Sequence, residues 1–169
     1  MRELHAARHL RLVERNGWEF VERPGVRGIV VVVAVTPAGA LLLVEQRREP
    51  VDARVVELPA GLVGDDGSPA GEPLEEAARR ELLEETGWDA VEVERLAEGP
   101  PSAGVSSEVV TFLRARSLSR VGPGGGVDGE EIAVHEVPLG EVEAFLRSRE
   151  AAGALVDPKV WAGLFLLRR

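Results

Sequence analysis

Residues 80–88 read Arg-Glu-Leu-Leu-Glu-Glu-Thr-Gly-Trp, and two of these carboxylates are unusual for a surface helix. Glu81 and Glu85 are four residues apart, so on a helix they share one face. No cation lies three or four residues from either of them, and like charges at that spacing destabilise a helix. We therefore expect a cation from outside the helix, and a hard divalent ion held by carboxylate oxygens is the simplest choice. The same face is the apolar one, because it also carries Leu74, Ala77, Ala78 and Leu82.

The remaining charges of this segment have partners at the i,i+4 spacing, as on an ordinary exposed face. Pro73 suits a first helical turn and Gly87 suits a C-terminal stop, which predicts a helix from residue 73 to about residue 85. The expected pairs on this helix are Glu75 with Arg79, Glu76 with Arg80, and Arg80 with Glu84.

Around this helix the chain alternates between strand and helix patterns, without an internal repeat. Asn16-Gly17 predicts the turn of a hairpin over residues 8–23. The β-branched run at 28–35 predicts a strand buried on both faces. Further strands are expected at 40–44, 55–58, 91–97, 108–116 and 132–137, helices at 139–149 and 158–167, and loops at 64–71 and 120–130, the second acidic and mobile. This order indicates an α+β domain, with a mixed sheet flanked by helices.

Composition narrows the classes of function. The chain has 169 residues, no cysteine and a net charge of −9. The charge argues against nonspecific binding to nucleic acid or to a membrane, and no apolar run approaches the roughly 20 residues of a membrane span. Lack of cysteine excludes disulfides and thiolate metal sites. A cytoplasmic location is expected.

Residues 61–88 resemble the Nudix box. That pattern has a Gly, a Glu, seven residues, and then Arg-Glu-apolar-x-Glu-Glu-x-Gly-apolar, which Glu72 and residues 80–88 match in type and spacing. One departure is a longer loop, because ten residues separate Gly61 from Glu72 where the family has five. Surface loops accept such insertions at low cost.

Other segments resemble the ADP-ribose pyrophosphatase branch of this family. They are Glu45-Gln46-Arg47-Arg48, then residues 57–61, and Ser102-Ala103-Gly104 followed by Glu108. Many members of that branch have a proline where this chain has Ala103.

The resemblance implies a Nudix-like fold, an α/β/α sandwich with an N-terminal β-hairpin. It implies one hydrolase domain over residues 1–169, with a hairpin at 1–25 that exchanges between the subunits of a homodimer and a catalytic core at 26–169. The implied reaction is Mg²⁺-dependent hydrolysis of ADP-ribose to AMP and ribose 5-phosphate. FAD, NADH and diadenosine polyphosphates are alternative substrates. A non-catalytic nucleotide-sensing module is an alternative of another class, although such modules usually lose the box glutamates that this chain keeps.

The resemblance also assigns the metal and catalytic residues. Two or three Mg²⁺ ions, replaceable by Mn²⁺ or Zn²⁺, are expected on Glu81, Glu84, Glu85 and the backbone carbonyl of Ala60. Arg80 orients the glutamates and Glu72 pairs with it. The general base is either a box glutamate or an acidic residue of the later loop, where Asp128, Glu130 and Glu131 are candidates and Glu130 is favoured.

The predicted substrate-binding residues are Arg27, Arg47, Arg48, Glu57 and Glu108. Forked guanidinium groups suit a diphosphate or a terminal phosphate. Surface charge is the alternative for the arginine pair at 47 and 48, and an ion pair with an arginine is the alternative for Glu108. Trp18, Phe20 or another aromatic residue could stack on the base, and the sequence does not choose between them.

Overall fold

The structure is a computed structural model that describes residues 1–64, 71–127, 129 and 131–168. Its strands are β1 Arg2–Ala6, β2 Arg11–Arg15, β3 Trp18–Glu22, β4 Gly28–Ala34, β5 Ala40–Arg48, β6 Ala53–Glu57, β7 Ala60–Val63, β8 Trp88–Gly99, β9 Val110–Arg120, β10 Ala133–Pro138 and β11 Leu155–Val156. Its helices are α1 Leu74–Thr86, α2 Val142–Ala151 and α3 Pro158–Leu166, with 3₁₀ turns at Glu49–Val51 and Leu139–Glu141.

Two four-stranded mixed sheets form the middle layer of the fold. One has the order β7-β4-β9-β8 and the other β10-β5-β6-β11. Each contains one parallel pair, β4 with β9 and β11 with β6, among antiparallel neighbours. An antiparallel bridge between Val35 and Leu41 connects the two sheets. The predicted mixed sheet is therefore present as two connected mixed sheets.

Strand β4 separates two hydrophobic cores, because successive side chains of a strand point to opposite faces. Val30 and Val32 pack with Leu82 of α1. Val31 and Val33 pack on the other side, where the core includes Val142 and Leu146 of α2 and Val160 of α3. This confirms the strand buried on both faces and the helix–sheet–helix sandwich, and it fixes α1 directly against β4.

The N-terminal residues form a separate three-stranded antiparallel sheet in the order β1-β2-β3. The predicted hairpin is its β2–β3 half, with Asn16 and Gly17 at φ 53° and 81°, as a two-residue turn with positive φ requires. All five residues of β1 are exposed. This strand was not predicted, because five residues with no buried face give only a short and weak apolar pattern.

The strand ends differ from the prediction at several places, and two further short strands were not predicted. The prediction had no strand after Pro59. In the structure, Ala60–Val63 forms strand β7, which pairs antiparallel with β4. Strand β5 continues to Arg48, where a strand to residue 44 was expected, because β6 pairs with it along its whole second half. Strand β11 has two residues, too few for a periodic pattern. In the described part of the chain, no helix is long and apolar enough to cross a membrane.

Candidate active site

Helix α1 carries the central carboxylates, and its two ends explain how it is placed. Gly87 follows it in a left-handed conformation, φ 74°, and donates its N–H to the carbonyl of Leu83, which is the C-terminal stop expected from the sequence. The helix buries Ala77, Ala78 and Leu82 against β4. Because Glu85 lies on the same side as these residues, its carboxylate is directed into the protein, and the residue is only 6% exposed.

Arg80 holds three of the acidic side chains of the motif. Its Nε and Nη2 donate to the two carboxylate oxygens of Glu72 at 3.0 and 3.3 Å. Its Nη1 donates to Glu81 at 2.8 Å and to Glu84 at 3.1 Å. The predicted pairing of Arg80 with Glu84 is thus observed, and the pairing with Glu72 is observed too. The i,i+4 spacing gave no cation for Glu81. In the structure it accepts a hydrogen bond from Arg80, its immediate neighbour in sequence.

A second expected pair on α1, Glu75 with Arg79, is wrong in its partners, and the pair of Glu76 with Arg80 stays a prediction. Arg79 donates to Asp89 at 2.6 and 2.8 Å, and Glu75 accepts from Arg95 at 2.8 Å. Both partners belong to β8, which runs alongside the helix. The i,i+4 rule considers a helix on its own. It therefore misses ion pairs that helix residues form with a neighbouring strand.

Burial raises the pKa of Glu85 to about 8. The N–H of Ala60 donates to its Oε2 at 3.1 Å and opposes this rise, as does the charge of Arg48, whereas the charges of Glu81 and Glu57 add to it. A buried carboxylate beside two others is stable as an anion only when a cation joins it. The donor set, all oxygen, is the type that a hard divalent cation prefers.

Glu81 and Glu57 complete the carboxylate cluster. The side chain of Glu81 lies directly over Gly61, where an added Cβ would approach its Cδ to 1.9 Å. Glu57 is 7% exposed and accepts from Nε of Arg48 at 2.7 Å. Only a glycine at position 61 leaves room for the Glu81 side chain in this position. This explains on steric grounds why the motif begins with a glycine.

The carboxylates are held by protein donors rather than arranged as a set of ligands. In the residues that the structure describes, no three His, Cys, Asp or Glu side chains form a group that could hold a metal ion. Arg80 contacts Glu81 and Glu84, and the N–H of Ala60 donates to Glu85. The chemistry and burial of the cluster fit a divalent cation, and the individual ligand roles of Ala60, Glu81, Glu84 and Glu85 stay predictions.

The predicted substrate-binding residues separate into two groups. Arg48 and Glu57 lie at the carboxylate cluster, as described above. Arg47, the next residue of the strand, contacts Glu49 and Asp52 at the surface. Adjacent strand residues point to opposite faces, so Arg47 and Arg48 lie on different sides of β5. The contacts of Arg47 are those of the surface charge that was the alternative expectation, and phosphate binding by either arginine stays a prediction.

Arg27 and Glu108 make other contacts. Arg27 donates to the backbone carbonyl of Glu72 at 2.5 Å. Glu108 accepts from Arg23 at 2.8 Å, the ion pair that was the alternative expectation. Of the candidate bases, Glu131 is exposed, while Asp128 and Glu130 lie outside the described residues.

The glycine-rich segment 121–126 has a role that the sequence analysis missed. The N–H groups of Gly125 and Gly126 donate to the carbonyls of Glu85 and Glu84 at 2.8 and 3.1 Å. Where a mobile loop was expected, this part of the chain is hydrogen-bonded to the C-terminal end of α1. The signal was the run Gly-Pro-Gly-Gly-Gly, because an unusual density of glycine indicates close backbone approach as well as flexibility.

Comparisons with known proteins agree with the family resemblance of the sequence. The NUDIX domain profile matches residues 26–156. The ADP-ribose pyrophosphatase of Bacillus subtilis (strain 168) is 35% identical over 137 residues, which are 80% of this chain and 70% of that protein. A GDP-mannose pyrophosphatase of Yersinia enterocolitica is 34% identical over 140 residues, 78% of this chain and 68% of that protein.

A crystal structure of an ADP compounds hydrolase has the same fold. It superposes with a TM-score of 0.65 at 21% identity, over 98% of this chain and 91% of that one. The resemblance first seen in the box residues is thus confirmed over most of the chain, and the protein belongs to the NUDIX domain family as a Nudix hydrolase.

Proposed function

We propose that the protein is a pyrophosphohydrolase that depends on a divalent cation, and that it cleaves the diphosphate of a nucleoside diphosphate linked to another moiety. The observation that carries the proposal is the buried carboxylate of Glu85 beside Glu81 and Glu57. In an acidic protein, this cluster would repel a diphosphate unless a metal reverses the local sign. In the reaction, water adds to one phosphorus, the bridging P–O bond breaks, and two phosphate monoesters form.

Nudix enzymes generally need a divalent cation, typically Mg²⁺. Glu81, Glu84, Glu85 and the carbonyl of Ala60 would hold it in this chain. A bound ion would neutralise phosphate charge and activate water. We propose two or three bound Mg²⁺ ions, which Mn²⁺ or Zn²⁺ can replace.

The other residues of the cluster orient the reactants. Arg80 binds Glu72 through a two-pronged contact, so its remaining nitrogen can hold the box glutamates at a fixed direction. Arg48, 43% exposed, is the cation of the cluster that can reach a phosphate from solvent. Glu130 or a box glutamate is the proposed general base, as the resemblance implies.

ADP-ribose is the substrate that we favour, giving AMP and ribose 5-phosphate. The support is the B. subtilis relative, which is named for that activity. GDP-mannose is a second candidate, because another relative of similar identity is named for it. FAD, NADH and diadenosine polyphosphates complete the panel of substrates with a central phosphoanhydride.

The test is a substrate panel with Mg²⁺, scored by chromatography of the products. We expect a nucleoside monophosphate from ADP-ribose or GDP-mannose, and a loss of at least about 100-fold in the Glu85→Gln variant. Glu76→Gln is the matched control, because Glu76 is an exposed glutamate on the same helix. Tight nucleotide binding without cleavage of any substrate would instead favour a sensing module.

We also propose a homodimer in the cytoplasm. The N-terminal sheet and its β1–β2 connection support the dimer, because they expose Leu4, Leu10, Leu12 and Trp18, the last at 68%. Light scattering after gel filtration should give twice the mass of 18.2 kDa for the full chain. A monomeric mass at micromolar concentration would exclude the dimer.

A further inference from the structure

Arg27 lies where the two ends of a long loop meet. The strand before this loop ends at Val63 and helix α1 begins at Leu74. Ten residues separate Gly61, in strand β7, from Glu72. Glu72 is therefore distant from β7 in sequence although it must lie close to it in the fold. The ordering of a long loop costs entropy, and contacts at its base limit that cost.

Arg27 contacts both sides of this base. Its backbone N–H donates to the carbonyl of Val63 at 2.7 Å. Its side chain runs beside Gly64, where an added Cβ would stand 3.3 Å from Nε. Its Nη2 then donates to the backbone carbonyl of Glu72 at 2.5 Å. One residue thereby fixes the last residues of β7 and the residue that precedes Pro73.

Glu72 passes this constraint to the glutamates of the helix. Its carboxylate, 6% exposed as a residue, accepts from Arg80 at 3.0 and 3.3 Å. Arg80 in turn contacts Glu81 at 2.8 Å and Glu84 at 3.1 Å. A displacement of the Glu72 backbone therefore changes the direction of the guanidinium that holds both box carboxylates.

We propose that Arg27 is a positioning residue, which clamps Glu72 so that Arg80 presents Glu81 and Glu84 in the orientation that hydrolysis needs. This role rests on the proposed function and replaces the direct phosphate contact expected from the sequence. The Nη2 that would bind a phosphate is engaged by a backbone carbonyl instead. A backbone carbonyl needs only one hydrogen-bond donor and not the planar fork of a guanidinium group. Lysine can therefore partly replace arginine at position 27.

The kinetic test compares Arg27→Met, Arg27→Lys and Arg79→Met with the unaltered protein. Arg79 is the matched control, because it is an arginine of α1 whose ion pair with Asp89 lies on the outer face. We expect Arg27→Met to lower kcat about tenfold while KM changes less than about twofold, because the lost contact acts on catalytic geometry and not on substrate binding. Arg27→Lys should recover most of kcat, and Arg79→Met should leave both constants unchanged.

A double-mutant cycle tests the route through Glu72. If Arg27 acts through Glu72, then Arg27→Met adds little to the loss caused by Glu72→Gln. Additive losses in the double variant would overturn the proposal, as would full activity of a folded Arg27→Met protein.

A measurement without substrate separates this proposal from the proposed function. The Nε–H of Arg80 donates to a buried carboxylate, so its ¹⁵N NMR signal should exchange slowly with water. Arg27→Met should accelerate that exchange, and Arg79→Met should not. An unchanged Arg80 signal in Arg27→Met overturns the clamp whatever the enzyme cleaves. A changed signal in a protein that cleaves no substrate supports the clamp and rejects the hydrolase.

Discussion

Glu85 is a carboxylate whose surroundings favour its neutral form until a cation arrives. Burial raises its pKa to about 8 from an ordinary 4.5, and the charges of Glu81 and Glu57 add to the effect. At pH 7 the metal-free site is therefore mostly protonated at this position. If Glu85 is a metal ligand as proposed, a divalent ion must displace that proton, so metal uptake should release protons and strengthen as the pH rises toward 8.

In metal-free protein, Glu85 should make stability depend on pH. Because the folded state holds this proton more tightly than the unfolded state, its stabilising effect is full below pH 4.5 and is lost as the pH rises to about 8. The loss is on the order of 1.4 kcal/mol per pH unit. Urea unfolding with a chelator should show this slope in the unaltered protein and a flatter one in Glu85→Gln.

Glu76→Gln is the control for that measurement, because Glu76 is exposed. It should reproduce the slope of the unaltered protein. Parallel curves for Glu85→Gln and the unaltered protein would mean that Glu85 is not the titrating group.

Gly61→Ala should separate activity from stability. The new Cβ would meet the carboxyl group of Glu81 at 1.9 Å. Because that group is the end of a flexible side chain, it can turn aside, and the fold should survive with a small loss of Tm. The displaced carboxylate should lower kcat by about 100-fold or more. Gly140→Ala, which adds a Cβ into open space, is the control for activity and Tm.

At the scale of elements, the C-terminal end of α1 and segment 121–126 are built around close backbone contact. The carbonyl of Gly87 accepts from the N–H groups of Val121 and Gly122 at 2.9 and 3.0 Å. Gly124 stands so near that an added Cβ would lie 2.4 Å from the carbonyl carbon of Thr86. These contacts satisfy carbonyls that a helix end leaves without partners.

Gly124→Ala should therefore destabilise the protein by about 3 kcal/mol or more, because positive φ and a backbone clash both oppose the new side chain. Gly153→Ala isolates the first effect, since Gly153 has φ +90° and open space around its Cβ position. It should cost about 1 kcal/mol. Urea denaturation measures both free energies of unfolding, and equal losses would show that the close contact is absent.

At the scale of the whole molecule, Glu45 connects elements that are distant in sequence. Its carboxylate, on β5, accepts from Arg54 of β6 at 2.7 Å and from Arg149 of α2 at 2.7 and 2.9 Å. His135 of β10 lies 3.1 Å away. Burial alone would raise the pKa of Glu45, but the hydrogen bonds from Arg149, Arg54 and His135 outweigh it and lower the pKa to about 2.

The acid stability of the protein should depend on this group. Its folded pKa is depressed from 4.5 to about 2, so the stabilisation is present above pH 4.5 and is lost as the pH falls toward 2. The full effect is about 3 kcal/mol. Urea unfolding between pH 3 and pH 6 should show a shallower decline in Glu45→Gln than in the exposed control Glu49→Gln. Equal declines would remove Glu45 from this role.

The sequence was sufficient where a local pattern carries the information. The spacing of Ala77, Ala78 and Leu82 with the stop at Gly87 predicted α1 and its buried face, and the valine run predicted β4. The box spacing brought Arg80, Glu81, Glu84 and Glu85 into one prediction. Each of these signals is a periodicity or a fixed interval, so it is readable without the fold.

The remainder depends on contacts between distant segments. Strand β7 has four residues and exists because β4 offers it a free edge. Arg27 was expected at a phosphate, and only the tertiary structure brings the carbonyl of Glu72 within its reach. Arg47 and Arg48 were treated as a pair because the predicted strand ended before them, whereas the strand includes them and turns them apart.

The alternation along β4 has a consequence for how the enzyme can change. Val31 and Val33 face α2 and α3, while Val30 and Val32 face α1, the helix that carries the box glutamates. Swaps of similar volume at the two odd-numbered positions should thus tune heat resistance without disturbing turnover, and the even-numbered ones should alter both together. The two faces of this one strand are therefore constrained differently, the odd-numbered face by stability alone and the even-numbered face by stability and activity together.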